Sequence, residues 1–179
     1  LTSEPYIVSD IRDSIEPDPD IFHKNSYTSQ LREAIFHIVE TEGPVEHEIL
    51  VKRIRQGHGW RKAGDPIRKT IRRAIPKTLT QTVFADNIYY WPAGESPKLW
   101  SKARHPQDEE DLDKRRTEDV SPEEIAAISK WCKRDRPNIP RSELAREISR
   151  YLGWKKCSGQ AQEFIFSALN LAENASEEV

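Results

Sequence analysis

Basic side chains are concentrated between positions 46 and 77, at a density suited to binding phosphate groups. The acidic residues of this stretch are only Glu46, Glu48 and Asp65. Its basic residues are Lys52, Arg53, Arg55, Arg61, Lys62, Arg68, Lys69, Arg72, Arg73 and Lys77. Cations that contact phosphates give an affinity that falls steeply with salt and carries little information about base sequence. Because the net charge of the whole chain is -2, such a surface must be local.

Other patterns that resemble reactive sites fail on spacing or on setting. The stretch HEILV at 47–51 begins like the zinc motif HExxH, but Val51 stands where the second histidine ligand is needed. The acidic run at 108–111 lies in a segment rich in charge, which favours a solvated charge run over a metal-dependent nuclease site. Cys132 and Cys157 have neither CxxC spacing nor a nearby histidine, so we expect free, buried thiols. We therefore predict a noncatalytic chain with no metal ion and no cofactor.

Hydrophobic periodicity predicts three short helices that position the basic residues. The first ends at Gly43-Pro44, and the second ends near 57–59. The third opens at Asp65-Pro66, with Asp65 as its cap, and ends at Pro76. The positions predicted to face inward are Leu31, Ala34, Ile35 and Ile38, then Ile49, Leu50 and Ile54, then Ile67, Ile71 and Ile75. With the last three inward, the cations of the third helix must point outward.

A hairpin is predicted directly after the third helix. The stretch TVFADNIYYW at 82–91 contains two runs of β-branched and aromatic residues, joined by Asp86-Asn87, which tolerate the positive φ of a tight turn. Three helices followed by such a ribbon form the winged-helix arrangement, a variant of helix-turn-helix. In helix-turn-helix proteins the recognition helix enters the major groove of DNA.

The pattern of residues 31–75 returns 94 positions later, which indicates a duplicated unit. Gly59-Trp60 then matches Gly153-Trp154, and we expect the two tryptophans to lie in similar surroundings. A capping box at Ser121-Pro122-Glu123-Glu124 opens the second copy. Its predicted inward residues are Ile125, Ile128, Cys132, Leu144, Ile148, Leu152, Ile165, Ala168 and Leu169. Its outward positions on the third helix are Gln162, Glu163, Phe166 and Ser167, which do not suit phosphate. Phe166, Trp131, Tyr151 and Trp154 are candidates either for a protein contact surface or for the core.

The predicted fold class is mainly α with a small β-hairpin, built as tandem, duplicated winged-helix or helix-turn-helix units. The predicted boundaries are an acidic N-terminal arm at 1–26, a first winged-helix unit at 27–95, a charged linker at 96–120 and a second three-helix unit at 121–175. Neither a secretion signal nor an apolar run of membrane-spanning length is present, so we predict a cytoplasmic protein without a membrane partner. The absence of methionine indicates a piece of a longer chain.

The segments EGPVEHEILVKRI and GWRKAGDPIRKTIRRAI, with the hairpin ending IYYW, resemble a known family. It is a domain of unknown function at the C-terminal end of large superfamily-1 helicase-like proteins, often preceded by a Vsr-like endonuclease domain. The resemblance covers residues 27–92, and the second copy looks like a second unit that some of these proteins carry. It implies a helicase-like parent protein but no catalytic residues in this chain, which also lacks the phosphate-binding motif GxxxxGK[ST] of such motors.

We predict a noncatalytic tandem winged-helix segment whose first unit contacts double-stranded DNA through its third helix and its wing. The residues predicted to contact DNA are Arg61, Lys62, Arg68, Lys69, Arg72, Arg73 and Lys77. The alternative is a docking module that attaches the helicase or nuclease core to a partner or to other domains of the parent chain. In that case the basic face is solvated or pairs with the acidic arm or the linker.

Overall fold

The structure is a computed structural model that describes residues 1–107 and 114–177, so the acidic run at 108–111 lies outside the described residues. It is mainly helical with small sheets, as predicted. The elements are β1 (Thr2–Pro5), α1 (Thr28–Glu42), β2 (Val45–Glu46), α2 (His47–Gly57), α3 (Asp65–Ala74), β3 (Gln81–Phe84), β4 (Asn87–Tyr90), β5 (Lys102–His105), α4 (Pro122–Lys133), α5 (Arg141–Tyr151) and α6 (Gly159–Glu177). The chain divides into a first unit, Val8–Gly94, and a second unit, which joins Leu1–Ile7 to the residues from Glu95 onward.

The three helices of the first unit follow the hydrophobic periodicity. The buried residues of α1 include Leu31, Ala34, Ile35 and Ile38, all predicted to face inward. Helix α3 buries Ile71 and Ala74, while Ile67 and Ile75 are only half-buried. The predicted cap of α3 is wrong: Gly64 is the N-cap residue, and Asp65 and Pro66 take the first two positions of the helix.

The hairpin is present, and its turn lies one residue earlier than predicted. Strands β3 and β4 pair antiparallel, with Phe84 opposite Asn87. Asn87 is therefore part of a strand, and the turn residues with positive φ are Ala85 (48°) and Asp86 (66°). Strand β4 also pairs with β2, which gives a three-stranded antiparallel sheet in the order β2-β4-β3.

Residues 8–27 of the segment before α1 are packed into the first unit, whereas Leu1–Ile7 belong to the second unit, so the predicted arm at 1–26 is divided between the two. Ile11, Phe22 and Tyr27 are fully or almost fully buried. A buried ion pair also holds this segment, because the Glu42 carboxylate accepts hydrogen bonds from the Ser9 amide at 2.9 Å and from Arg53 Nε at 2.7 Å. Apolar residues spaced among the prolines and acids thus give the segment its own share of the core.

In the second unit, β1 pairs in parallel with β5 beside the helices α4, α5 and α6. The segment at 96–120, predicted as a linker from its composition, contains β5 and two buried arginines, Arg104 and Arg115. Both donate hydrogen bonds to the buried Glu124 carboxylate, at 2.6 Å and 2.8 Å for their closest contacts. Burial of Glu124 tends to raise its pKa, but the two arginines outweigh this effect and lower the pKa to about 2. Charge in this segment therefore belongs partly to the core.

The backbone of α2 and the following turn has a counterpart 94 residues later. Both bounds of α5 lie 94 positions after those of α2, and α6 begins 94 positions after α3. Gly59 and Gly153 both have positive φ, 75° and 87°. The prediction that Trp60 and Trp154 lie in similar surroundings is wrong, however. Trp60 stacks on His58 with ring centroids 4.8 Å apart, whereas Trp154 is 38% exposed and its Nε1 donates to the Arg115 carbonyl at 2.7 Å.

No helix within residues 1–107 and 114–177 combines the length and the apolar character that crossing a bilayer requires.

Candidate nucleic-acid interface

The outward face of α3 presents a row of exposed cations. Burial of Ile71 and Ala74 fixes the rotation of this helix, so that the residues between them point to solvent. The exposed cations on and directly after the helix are Lys69, Arg72, Arg73 and Lys77, a set named here the α3 surface. None of the four forms an ion pair within the part of the chain that the structure describes. The sequence thus placed these four predicted contact residues correctly on the surface.

Arg68 differs from these four residues because it has an acidic partner on α2. Its Nη1 donates to both oxygens of the Glu48 carboxylate, at 2.6 Å and 2.8 Å, and its Nε donates to the Ala63 carbonyl at 3.1 Å. The two side chains are 34% and 49% exposed, so water and salt screen the pair. Arg68 is therefore held in place by α2 and the preceding turn, and its ion pair involves neither of the acidic segments considered from the sequence.

The turn between α2 and α3 carries the remaining predicted contacts, Arg61 and Lys62, which are both exposed. Nη1 of Arg55 donates to the carbonyls of Trp60 and Arg61, at 2.8 Å and 3.0 Å. A cavity of about 360 Å³ opens here, and its lining residues are Glu48, Val51, Lys52, Arg55, Arg61, Lys62, Ala63 and Arg68. Lys52 and Arg55 were not among the predicted contacts. On α2, Lys52 lies two positions before the buried Ile54 and Arg55 lies one position after it, so helical spacing places both off the buried face of the helix. This spacing is the sequence signal that could have identified them.

A second, larger cavity of about 490 Å³ lies between α3 and the hairpin. Arg72 and Lys77 contribute its cations, whereas Glu46, Glu48 and Asp86 contribute carboxylates. From Leu79 to Tyr90 the sequence contains no lysine or arginine, and its only charged residue is Asp86 at the turn. The hairpin therefore offers polar and apolar side chains, including Val83 at 66% exposure, and no positive charge.

The same cavity contains a hydrogen-bonded pair, His47 and Tyr90. His47 Nδ1 lies 3.0 Å from the Tyr90 hydroxyl. Burial lowers the pKa of His47, and the nearby Arg72 and Arg68 lower it further, while Glu48 raises it. Burial, together with Glu46, raises the pKa of Tyr90 to about 12. Around neutral pH both side chains are therefore uncharged, and the positive charge of this region comes from its lysines and arginines.

The corresponding helix of the second unit has a different surface. At the positions that match the cations of α3, α6 carries Gln162, Glu163, Phe166 and Ser167. Phe166 is half-buried, and the Arg141 guanidinium lies 5.4 Å from the centre of its ring. Trp131 and Tyr151 are also half-buried, so these aromatics contribute both to packing and to the surface.

Groups of three or more His, Cys, Asp or Glu side chains arranged to hold a metal ion are absent from the described ranges. Cys132 and Cys157 are free and half-buried, which is more exposed than predicted. Burial raises the pKa of Cys132 to about 11, so this thiol is uncharged near neutral pH. That the chain is noncatalytic and binds no cofactor stays a prediction.

Comparison with protein families gives a match to a family model over residues 20–69. Neither the curated proteins nor the solved structures include a match to this chain. The matched segment contains α1, α2 and the first half of α3, and with them Lys52, Arg55, Arg61, Lys62, Arg68 and Lys69. Over residues 20–69 the chain is similar to a family described as a protein of unknown function (DUF3320).

Proposed function

We propose that the first unit is a winged-helix module that binds duplex DNA and that the chain is a noncatalytic segment of a helicase-like protein. The observation that carries this proposal is the α3 surface, four exposed cations on a helix whose opposite side is anchored by Ile71. Exposed cations without acidic partners are available to neutralise phosphates and release their counterions.

The order of elements supports the winged-helix assignment. Helix α1 is followed by β2, α2, α3, β3 and β4, and the three strands form one antiparallel sheet. In a helix-turn-helix the second helix of the pair lies in the major groove. Here that helix is α3, and it is also the helix with exposed cations.

The second unit is proposed as a diverged copy without a DNA contact of its own. The spacing of 94 residues between α2 and α5, with matching positive φ at Gly59 and Gly153, supports a duplication. Because Gln162 and Glu163 replace cations of α3, this unit is assigned to contacts with other domains of the parent chain.

One observation favours the alternative, in which the first unit is also a docking module. The hairpin lacks cations, carries Asp86 at its turn and exposes 66% of Val83. A wing of this composition suits a protein surface better than a phosphate backbone. In this alternative the α3 surface pairs with acidic side chains of another domain.

The deciding experiment measures binding of the 179-residue chain to a labelled duplex by fluorescence anisotropy over a range of salt concentrations. The test variant is Lys69→Glu with Arg73→Glu, since both side chains are exposed and the buried face of α3 is unchanged. We expect affinity to fall for every duplex sequence, and the slope of log affinity against log salt to fall by about 2. Gln162→Glu in the second unit is the control and should change little. A parent chain that binds no duplex at low salt would refute the DNA proposal and leave the docking alternative in its place.

A further inference from the structure

The turn between α2 and α3 forms a pocket with a strong excess of positive charge. Five cations line it, Lys52, Arg55, Arg61, Lys62 and Arg68, together with a single carboxylate, Glu48. These six residues are named here the α2–α3 cradle. Glu48 is already engaged by Arg68, so its charge is largely compensated within the cradle. No carboxylate that lines the pocket is left to balance the charges of Arg55, Arg61 and Lys62.

Two of the five cations are oriented before any ligand arrives. Arg55 Nη1 is fixed by the carbonyls of Trp60 and Arg61, at 2.8 Å and 3.0 Å. Arg68 Nε is fixed by the carbonyl of Ala63 at 3.1 Å, in the same turn. A guanidinium has five N–H donors, so each arginine keeps further donors for a ligand. Orienting these groups in advance reduces the entropy that binding would otherwise lose.

The chemistry of the cradle suits a tetrahedral oxyanion. Guanidinium groups offer paired donors that match phosphate oxygens, and a lysine ammonium adds a point charge. The exposed Lys62 and Arg61 flank the opening from the turn, and no acidic side chain pairs with either among the described residues. We propose that the α2–α3 cradle is a phosphate-binding site that holds one backbone phosphate of the DNA bound by α3. The assignment of that phosphate to DNA rests on the proposed function, whereas the affinity for phosphate itself does not.

The second unit provides an internal comparison. At the positions 94 residues later, Ser149 stands in place of Arg55 and Gln162 in place of Arg68, while Lys156 matches Lys62. A pocket at the corresponding turn is lined by Ser149, Trp154 and Lys156, and also by Glu118 and by Arg116, whose guanidinium donates to the Asp119 carboxylate at 2.8 Å. It lacks counterparts of Arg55 and Arg68, so a charge reversal at Lys156 is a control matched to one at Lys62.

The test has two arms, both on the full 179-residue chain. In the first, inorganic phosphate is titrated at constant ionic strength against chloride, and the amide resonances of residues 60–63 are followed by NMR. We expect saturable shifts in the parent, at least about fivefold weaker binding in Lys62→Glu and no change in Lys156→Glu. In the second, duplex binding is measured against salt, and Lys62→Glu should lower the slope by about 1 for the one lost phosphate contact.

The outcomes separate the cradle from the α3 surface. Loss of phosphate shifts and a smaller salt slope in Lys62→Glu, with Lys156→Glu like the parent, supports the proposal. If the parent shows no saturable phosphate shift, or if Lys62→Glu binds phosphate as the parent does, the cradle is not a phosphate site, even though DNA binding through α3 can still stand. If phosphate shifts are present but the parent binds no duplex, the proposed DNA function fails and the cradle is not a DNA contact.

Discussion

Substituting Glu48 with glutamine removes the carboxylate that holds Arg68 beside the α3 surface. Two effects follow if DNA binds here. The substitution deletes a negative charge from a region that would face phosphates, and it replaces the two charged oxygens that accept from Arg68 Nη1, at 2.6 Å and 2.8 Å, by a neutral amide with a single acceptor oxygen. We therefore expect Glu48→Gln to bind duplex DNA more tightly than the parent.

The size of the effect is limited by exposure. The Arg68 and Glu48 side chains are 34% and 49% exposed, and ion pairs of this kind contribute about 1 kcal/mol or less to stability. Water and salt would screen an ion pair between Arg68 and a DNA phosphate to the same degree. Affinity should therefore rise about fivefold, which is equivalent to about 1 kcal/mol. Because Arg68 becomes available to a further phosphate, the salt slope should steepen by up to about 1.

Fluorescence anisotropy at several salt concentrations measures affinity and slope together, and urea unfolding measures the change in stability. Glu33→Gln is the control, since Glu33 is an exposed carboxylate on α1 that lines neither cavity of the candidate interface. The control separates local release of Arg68 from the change in net charge, which is the same in both variants. Unchanged or weaker binding by a well-folded Glu48→Gln chain would contradict the reasoning, as would an equal rise in affinity in Glu33→Gln.

Three further predictions concern the stability of the two units. Ala85 has a φ of 48° in the hairpin turn, a backbone conformation that is strained for a residue with a side chain. Ala85→Gly should therefore stabilise the first unit by about 1 kcal/mol, as measured by urea unfolding. A loss of stability in this variant would show that the turn is unstrained. Glu124→Gln leaves Arg104 and Arg115 buried without their carboxylate, so it should destabilise the second unit by about 3 to 5 kcal/mol. If the variant unfolds in urea like the parent, this prediction is wrong. The pKa of Glu124 is lowered from 4.5 to about 2 in the folded chain. The stability that the ionised carboxylate contributes is therefore complete above about pH 4.5 and is lost as the pH falls towards 2. Acid titration of the parent should show this loss of stability, and the same titration of Glu124→Gln should not.

The helices were predictable because their signals are local. Residues such as Leu31 and Ile38 recur at helical spacing, and Gly43 ends the pattern where the helix ends. The second-unit capping box is also local, and Ser121 does accept a hydrogen bond from the Glu124 amide. Signals within a few residues of one another are sufficient for helices, but they locate turns less well. The hairpin turn was predicted one residue too late, because Asn87 tolerates positive φ better than Ala85 does. In the structure Asn87 pairs with Phe84, and this pairing sets the register of the hairpin.

Pairing between distant segments could not be predicted. Strand β1 pairs with β5 about 100 residues away, in register from Thr2 with Lys102 to Pro5 with His105, and neither segment alternates strongly between apolar and polar residues. The composition of 96–120 is that of a linker, but Arg104 and Arg115 are buried because both pair with the Glu124 carboxylate. Glu124 lies 20 and 9 residues further along the chain, too far for a local sequence pattern to reveal the pairing.

The candidate site shows the same limit in another form, because a count of charges does not distinguish cations that fold the chain from cations that bind. Arg53 belongs to the basic stretch by sequence, yet it is 3% exposed and committed to Glu42. Arg68 is half-committed to Glu48, and Arg73 has no acidic partner among the described residues. These three arginines have the same side-chain chemistry and differ in their burial and in the carboxylate within reach. The availability of each cation for DNA is therefore set by tertiary contacts, and for that reason the Glu48 substitution tests the interface more directly than removal of any single cation.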